Sequence, residues 1–277
     1  MTIDEFIKNA VIEDLGDGDH TSDACVPQDA VNRAKIFAKE DGIVAGTGIA
    51  EQIFYHMESN QQIDIHIPDG NPVKNGDMIM VVSGNARGIL KSERLALNCM
   101  QRMSGIATLT RKVVDSLEGT GTKVLDTRKT TPGIRFLEKM AVQIGGGVNH
   151  RFGLYDMMMI KDNHIDYAGS LEKAITQCDE YRQSHHLDIM LEVEARDLKE
   201  VERILQVGRV DRIMLDNFSH EDLRKAVEMI PDKYQTEASG NITLETARSY
   251  AECGVDFVSM GALTHSVKSL DISLKAF

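Results

Sequence analysis

The sequence predicts an α/β protein in which a mixed α/β domain precedes a barrel of parallel strands and helices. Three observations carry that expectation. Beyond residue 120, six short apolar runs each end in polar residues and lead into a helical segment, the rhythm of successive βαβ units and a parallel sheet. No GxGxxG turn follows any of the runs, which counts against a dinucleotide-binding sheet; six units in a row favour a closed or nearly closed barrel. Residues 1–90 lack this rhythm and mix helical and alternating patterns, so they belong to a different domain.

Taken in order, "TIDEFIKNAVIEDL" places Ile3, Phe6, Ile7, Ala10 and Val11 at helical spacing behind Thr2 as N-cap. "RAKIFAKEDGIVAG" predicts strand, turn, strand, and "GIAEQIFYHM" a helix. "IDIHIPDGNPVKNGDMIMVVSGNA" alternates strands with turns at Asp69-Gly70 and Asn75-Gly76. It resembles a lipoyl-type hairpin but has no lysine centred in the tight turn, so a structural hairpin is expected. "SERLALNCMQRMSGIATLTRKVVDSL" predicts a long helix starting at Ser92, with Leu95, Cys99, Met100, Met103, Ile106 and Ala107 on one face. Gly105 is expected to break it near a domain boundary. The six runs are "KVLDTRK", "MMMIKDNH", "IMLEVEA", "RIMLDNF", "YQTEASG" and "DFVSMGALTH", with helices such as "SLEKAITQCDEYRQS" and "DLKEVERILQVG" between them.

Length and composition set bounds. A chain of 277 residues with 42% hydrophobic residues suits one large domain or two smaller ones, each with a proper core. Four cysteines, Cys25, Cys99, Cys178 and Cys253, are far apart with no CxxC pair. That argues against zinc or a disulfide framework and fits a reducing, cytoplasmic setting. The acidic N-terminus does not read as a signal peptide, and no apolar run approaches the roughly 18 residues of a membrane span.

The charge is unevenly placed. The net formal charge is −12, yet Arg87–Lys161 holds 13 Lys/Arg against 6 Asp/Glu. A basic middle in an acidic frame points to a confined anionic ligand rather than to nucleic acid. Lys112 and Lys139 are expected on solvated helix faces.

In an α/β barrel the site lies at the C-terminal ends of the strands. There the sequence puts Asp126, Arg128 and Lys129; Lys161, Asp162, Asn163 and His164; Glu192 and Glu194; Asp216 and Asn217; Glu237, Ser239 and Gly240; and Gly261, Thr264 and His265. Arg128, Lys129, His150, Arg151 and Lys161 form a cationic nest, which implies a multiply charged anion, arginine suiting carboxylates and lysine phosphate. Glu194 and Asp216 on neighbouring strands could hold Mg²⁺ or ribose hydroxyls. "ASGN" and "MGALTH" could cradle a phosphate on backbone N–H groups. Glu192 and Glu194 are expected to point oppositely, one of them being structural, and His164 to cap a loop. The histidines His56, His66, His185 and His186 show no ligand spacing, and Met157–Met159 reads as strand core.

These residues lie within long stretches that resemble one family. "ERLALNCMQRMSGIATLT", "LDTRKTTPGIRFLEKMAVQIGGGVNHRFGLYDMMMIKDNH", "LEVEA", "IMLDNFS", "EASGNI" and "FVSMGALTHSVKSLDISLK" closely resemble the quinolinate phosphoribosyltransferases, type II phosphoribosyltransferases, from about residue 12 onward. The resemblance implies an N-terminal α/β sandwich joined to an open α/β barrel, the chain's end returning to the first domain. The corresponding division is a sandwich at 1–104 completed by 266–277 and a barrel at 105–265. It implies the reaction of quinolinate with 5-phosphoribosyl 1-diphosphate to nicotinate mononucleotide, diphosphate and CO₂ with Mg²⁺, in de novo NAD synthesis. It also implies a homodimer, hexameric in some members, with Arg94 reaching the partner's barrel. Arg128, His150, Arg151 and Lys161, with Arg94, would hold the quinolinate carboxylates, and Lys129 the diphosphate. Glu194 and Asp216 would meet ribose and metal, and Ser239, Gly240, Gly261 and His265 the 5′-phosphate. Lys129, Glu194 and Asp216 would be the catalytic residues.

Two departures stand out: Asn241 where the family usually has glycine, a residue that tolerates left-handed backbone, and Cys99 and Met100 in the interface helix. Three other readings compete. A molybdenum-transport-associated paralogue shares the fold and would act on another anionic heterocycle. A Schiff-base aldolase would use Lys161. A non-catalytic phosphometabolite sensor would need an appended effector-binding or DNA-binding segment, and no stretch is left over for one.

Overall fold

The computed structural model describes residues 2–277. By contacts the chain gathers into two compact units, one through Arg111 with Thr130–Gly146 and Leu263–Phe277, the other Lys112–Lys129 with Gly147–Ala262. The segment 130–146, expected within the barrel, therefore packs with the first unit.

The first unit begins with helix α1 (Ile3–Leu15), entered through a capping box in which Thr2 and Glu5 satisfy each other's backbone N–H groups. Helix α2 (His20–Cys25) follows, then β1 (Val31–Ala38), the two-residue β2 (Gly42–Ile43), α3 (Thr47–Met57), β3 (Gln62–Ile65), β4 (Pro72–Val73) and β5 (Met78–Asn85). The predicted turns hold: Gly70 and Gly76 take φ of 86° and 95°, where a side chain would strain the backbone. Strands β3 and β5 pair antiparallel as the expected structural hairpin. The sheet order is β12-β1-β5-β3, with β12 (Ile272–Ala276) antiparallel to β1, so the chain's end does return to this domain. Ile36, Ala38, Ile53, Phe54, Met80 and Val82 are wholly buried and form its core.

Helix α4 (Ala86–Ser116) runs for 31 residues without a break, six residues longer at its start than expected. Asn85 accepts from the Gly88 N–H at 3.0 Å, while Ser92 donates to the Gly88 carbonyl one turn back; Ser92 is inside the helix, not its cap. Gly105 does not break it either. A Cβ there would overlap the carbonyl of Lys268, so glycine is present for a close backbone approach, worth the helix propensity it costs. Ala96, Met100, Met103, Ile106 and Ala107 bury the predicted face.

Lys139 is a further correction. It lies on α5 (Arg135–Ile144) and is 2% exposed, not on a solvated face; Lys112 is exposed as expected. Beside it Glu138, wholly buried, accepts from Arg102 at 2.7 Å and from the Thr131 backbone N–H and hydroxyl. This ion pair anchors the turn that follows Lys129.

The second unit holds all six predicted strands: β6 (Lys123–Leu125), β7 (Met157–Ile160), β8 (Met190–Ala195), β9 (Arg212–Asp216), β10 (Gln235–Ser239) and β11 (Phe257–Ser259). They are parallel in the order β6-β11-β10-β9-β8-β7. The barrel is open between β6 and β7, whose connecting helix α5 belongs to the other unit. Helices α6 (Asp162–Ala168), α7 (Leu171–Ser184), α8 (Leu198–Val207), α9 (His220–Met229) and α10 (Leu244–Ala251) link the rest, and α11 (Ala262–His265) follows β11. Ser170, Asp197 and Ser219 cap α7, α8 and α9, each accepting from the N–H three residues on. These polar caps fix where the three helices begin.

The Gly105 contact yields a stability prediction. Gly105→Ala should cost about 1–3 kcal/mol, the usual penalty of forced overpacking, although alanine is the better helix former. A shift in the urea midpoint measures it, and an unchanged or higher midpoint would show that the Lys268 segment yields freely.

Candidate active site

Among the described residues, the ends of the six strands bring most of the expected groups to one unit. Lys161 directly follows β7, and its Nζ lies 2.5 Å from Oε2 of Glu194 on β8. The Lys161 N–H donates to Nδ1 of His164 at 2.9 Å, so His164 caps the start of α6 as expected. Lys161 is thus less a free member of a cationic nest than half of an ion pair.

Asp216 ends β9, and the residue after it adopts a left-handed backbone: Asn217 has φ 56°. In that conformation the Asn217 side chain turns back and donates to Asp216 Oδ2 at 2.6 Å, while its backbone N–H donates to the Ser239 carbonyl at 2.8 Å. Asn241, also left-handed at φ 51°, donates to Asn217 Oδ1 at 3.3 Å. Gly240 between them has φ 105°, and a Cβ would run into the Asn217 amide. The "ASGN" turn is therefore wrapped onto the "LDN" turn, and Asp216 is aimed by its neighbour. The left-handed backbone foreseen at Asn241 is present.

Arg128 and Lys129 are exposed, the latter's N–H donating to Thr127 Oγ1 at 3.0 Å. Arg151 is half-buried and donates to the Met157 carbonyl at 3.3 Å. Burial and then the like charge of Arg128 lower its guanidinium below the usual arginine range, so the two arginines share one neighbourhood and repel. That is the arrangement expected of an anion site. Gly261 follows the last strand through Met260, whose N–H donates to the Leu125 carbonyl at 2.9 Å.

Arg94 and His265 belong to the other unit. Arg94 is exposed on α4, and His265, exposed at the end of α11, has Nδ1 2.6 Å from Ser266 Oγ.

His150, expected as a member of the cationic nest, sits deeper than the others. Its side chain is 4% exposed. Asp126, wholly buried, accepts from the His150 backbone N–H at 2.8 Å. Nδ1 accepts from the Arg151 N–H at 2.6 Å. Nε2 points inward, 3.0 Å from Glu192 Oε2 and 3.4 Å from Glu237 Oε2. Arg212 completes the group, 3.2 Å from Glu237 Oε2 and 2.8 Å from Gln235 Oε1, with its guanidinium 4.5 Å from the centroid of the Phe257 ring.

This interior group overturns the expectation that Glu192 and Glu194 face oppositely. Residues two apart on a strand share a face, and both carboxylates point inward: Glu192 to His150 and Glu194 to Lys161. Register extends the same face across the sheet, aligning Glu192 with Arg212 and Arg212 with Gln235. Arg212 and Gln235 were not singled out from the sequence; correct period-2 counting along the successive runs would have found them.

Burial, then the charge of Glu237, pushes the Glu192 carboxyl up to about 7. Burial acts the same way on Glu237, but its hydrogen bond to His150 and the Arg212 charge outweigh it and hold it below the usual range. Burial opposes charging His150, yet the two carboxylates overcome it and draw the ring up to about 9.

Comparison with known proteins agrees with this architecture. The family profile "Quinolinate phosphoribosyl transferase, N-terminal domain" matches residues 19–104, and its C-terminal-domain counterpart matches 106–275. A chloroplastic "Nicotinate-nucleotide pyrophosphorylase [carboxylating]" of Arabidopsis thaliana is 48% identical over 97% of this chain and 81% of its own. A "Probable nicotinate-nucleotide pyrophosphorylase [carboxylating]" of Bacillus subtilis is 42% identical over 99% and 93%. The crystal structure of NadC from Streptococcus pyogenes superposes with a TM-score of 0.93 at 40% identity, covering 99% of this chain and 95% of that one. With both domain profiles matched end to end and relatives this similar over nearly the whole length, the chain belongs to the quinolinate phosphoribosyltransferase family.

Proposed function

We propose that the protein transfers the phosphoribosyl group of 5-phosphoribosyl 1-diphosphate to quinolinate with loss of CO₂, yielding nicotinate mononucleotide and diphosphate. The observation that carries this reading is Arg151, half-buried at the strand ends and donating to the Met157 carbonyl, where burial and the nearby Arg128 charge disfavour its own charge. Such crowding is relieved by a ligand bearing two carboxylates, and the guanidinium fork suits that geometry.

On this reading Arg128, Arg151 and Lys161 bind the quinolinate carboxylates, with Arg94 supplied by the partner of a homodimer. His150 supports that pocket from below rather than from within. Lys129 binds the departing diphosphate. Ser239, Gly240, Gly261 and His265 surround the 5′-phosphate. As the bond to diphosphate lengthens, positive charge grows on the ribose ring, and the carboxylates of Glu194 and Asp216 stabilise it. The arginines hold the pyridine nitrogen against the anomeric carbon, a positioning effect. Once that nitrogen is quaternary, the adjacent carboxylate leaves as CO₂ because the cationic ring accepts the electron pair.

Magnesium fits the residues present. Two carboxylates at adjoining strand ends, each with one oxygen already engaged by Lys161 or Asn217, leave a sparse, all-oxygen donor set. Such a set suits an ion that keeps waters and substrate phosphates as its other ligands. Glu194 and Asp216 would hold it, and it would supply charge neutralisation to the diphosphate. Among the described residues no helix is long and apolar enough to cross a membrane, and all four cysteines are free; we propose a cytoplasmic enzyme.

The bridge between Lys161 and Glu194 also speaks against the aldolase reading, since a paired ammonium offers a cation rather than a nucleophilic amine.

Purified protein given quinolinate, 5-phosphoribosyl 1-diphosphate and Mg²⁺ should form nicotinate mononucleotide and CO₂, with nicotinate inert in parallel. No turnover by folded protein would transfer the reading to the paralogue acting on another anionic heterocycle. Arg151→Ala should weaken quinolinate binding at least ~30-fold, or about 2 kcal/mol, the lower end for removing one partner of a desolvated charge pair; calorimetry showing unchanged affinity would remove Arg151 from the pocket. Mixing Arg94→Ala with Lys161→Ala subunits should recover part of the lost activity through one intact hybrid site, and no recovery in a verified heterodimer would sink the shared site.

A further inference from the structure

The buried group beneath Arg151 is not used by the chemistry proposed above. His150, Glu192, Arg212 and Glu237 are each 7% exposed or less, and the two glutamates wholly buried. Ionised groups at that depth are costly unless they are paired, and a buried ion pair is poor grounds for a claim of stability. The geometry points elsewhere. A neutral imidazole has one donor and one acceptor nitrogen. Here Nδ1 lies 2.6 Å from the Arg151 backbone nitrogen, a distance that leaves no room for two hydrogens, so Nδ1 must accept. The proton then sits on Nε2, the atom facing Glu192 and Glu237. The carboxylates also pull toward a doubly protonated ring, but the Arg151 contact opposes it, and the contact decides the tautomer.

We propose that Glu192 and Glu237 are positioning residues for the dicarboxylate pocket. They hold His150 with Nε2–H directed into the barrel, which frees Nδ1 to fix the Arg151 backbone and so to aim its guanidinium. Arg212 keeps Glu237 in place from the far side, and Asp126 does the same for the His150 backbone. Carboxylates orienting a histidine by its second nitrogen is a device familiar from metal sites; here the histidine passes the constraint to a neighbouring peptide. The same three residues could in principle ligate a metal, their ligand atoms lying within 4.8 Å of one another. The Arg212 guanidinium at 3.2 Å from Glu237 already supplies the cation, and the proposal takes the group to be metal-free.

This inference rests on the quinolinate reading, and the test separates the two. Steady-state kinetics on Glu192→Gln and Glu237→Gln should show KM for quinolinate raised roughly ten- to hundredfold, the size expected for loss of an outer orienting partner. KM for 5-phosphoribosyl 1-diphosphate should stay within about twofold, because Glu194, Asp216 and the phosphate turns are untouched. Side-chain ¹⁵N NMR of the wild-type protein near neutral pH should show His150, identified by its loss in His150→Gln, as the Nε2–H tautomer. That measurement needs neither glutamate variant to fold. Wild-type protein without quinolinate turnover would defeat the functional reading and leave the tautomer standing. A wild-type His150 that is doubly protonated or carries its proton on Nδ1 would overturn the proposal. So would variants in which both KM values rise together or neither moves, or a stoichiometric metal ion found by elemental analysis of the holoprotein.

Discussion

The constraint on which the site depends is that its cations must be held together before any anion arrives. Burial and then the Arg128 charge disfavour the charge of Arg151, and like charges in a partly desolvated place cost more than they would in water. The protein meets this from beneath. Wholly buried carboxylates of Glu192 and Glu237 lie under the Arg151 peptide, linked to it through His150. At the rim Glu194 is paired with Lys161. Lys161 thus has a counter-charge one strand across, and Arg151 has carboxylates one layer down through His150; the parallel register aligns Glu192 with Arg212 in that layer.

That register explains what could be read from the sequence and what could not. The six strands and their order of appearance were legible because each apolar run stops at a polar residue and four of the following helices open on Ser170, Asp197, Ser219 and Thr243. The ends of strands, and so Lys161, Glu194 and Asp216, followed directly. Depth was not legible. Lys139 and Glu138 look like any solvated helical pair, yet both are buried, with Glu138 binding Arg102 from 36 residues earlier. His150 looked like a fifth cation because it adjoins Arg151, and only tertiary structure shows its ring turned inward toward Glu192 and Glu237. Gly105 read as a helix breaker because its close neighbour, Lys268, is far along the chain. The Glu192 and Glu194 misreading was of another kind, since the strand period already places both on one face.

The turns after β9 and β10 show local strain recruited for aim. Asn217 and Asn241 both accept left-handed backbone, a conformation that costs a non-glycine residue of order 1 kcal/mol or more. Asparagine is among the residues that bear it best, and in both cases the amide is put to use. Asn217 turns its donor onto Asp216, and Asn241 turns its donor onto Asn217. Gly240 cannot carry a side chain because that space is filled by the Asn217 amide. Glycine at one position and asparagine at the other two are a single packing solution. The asparagine at 241, where the family usually has glycine, adds a hydrogen bond to that solution.

The proposed roles also fix what must change when substrates bind. Lys161 is assigned to a quinolinate carboxylate and Glu194 to the ribose, yet the two bind each other at 2.5 Å. Both roles can be met only if that contact loosens or is shared, so each substrate competes with an internal partner for one of its own contacts. The competition has a useful sign. Removing a charge from water costs several kcal/mol, and a carboxylate arriving at Lys161 meets an ammonium already partly stripped of water by Glu194. Displacement of Glu194 then leaves a carboxylate aimed at the sugar, where positive charge is about to develop. On the proposed roles, binding at the pyridine pocket and readiness at the ribose are coupled through this one ion pair.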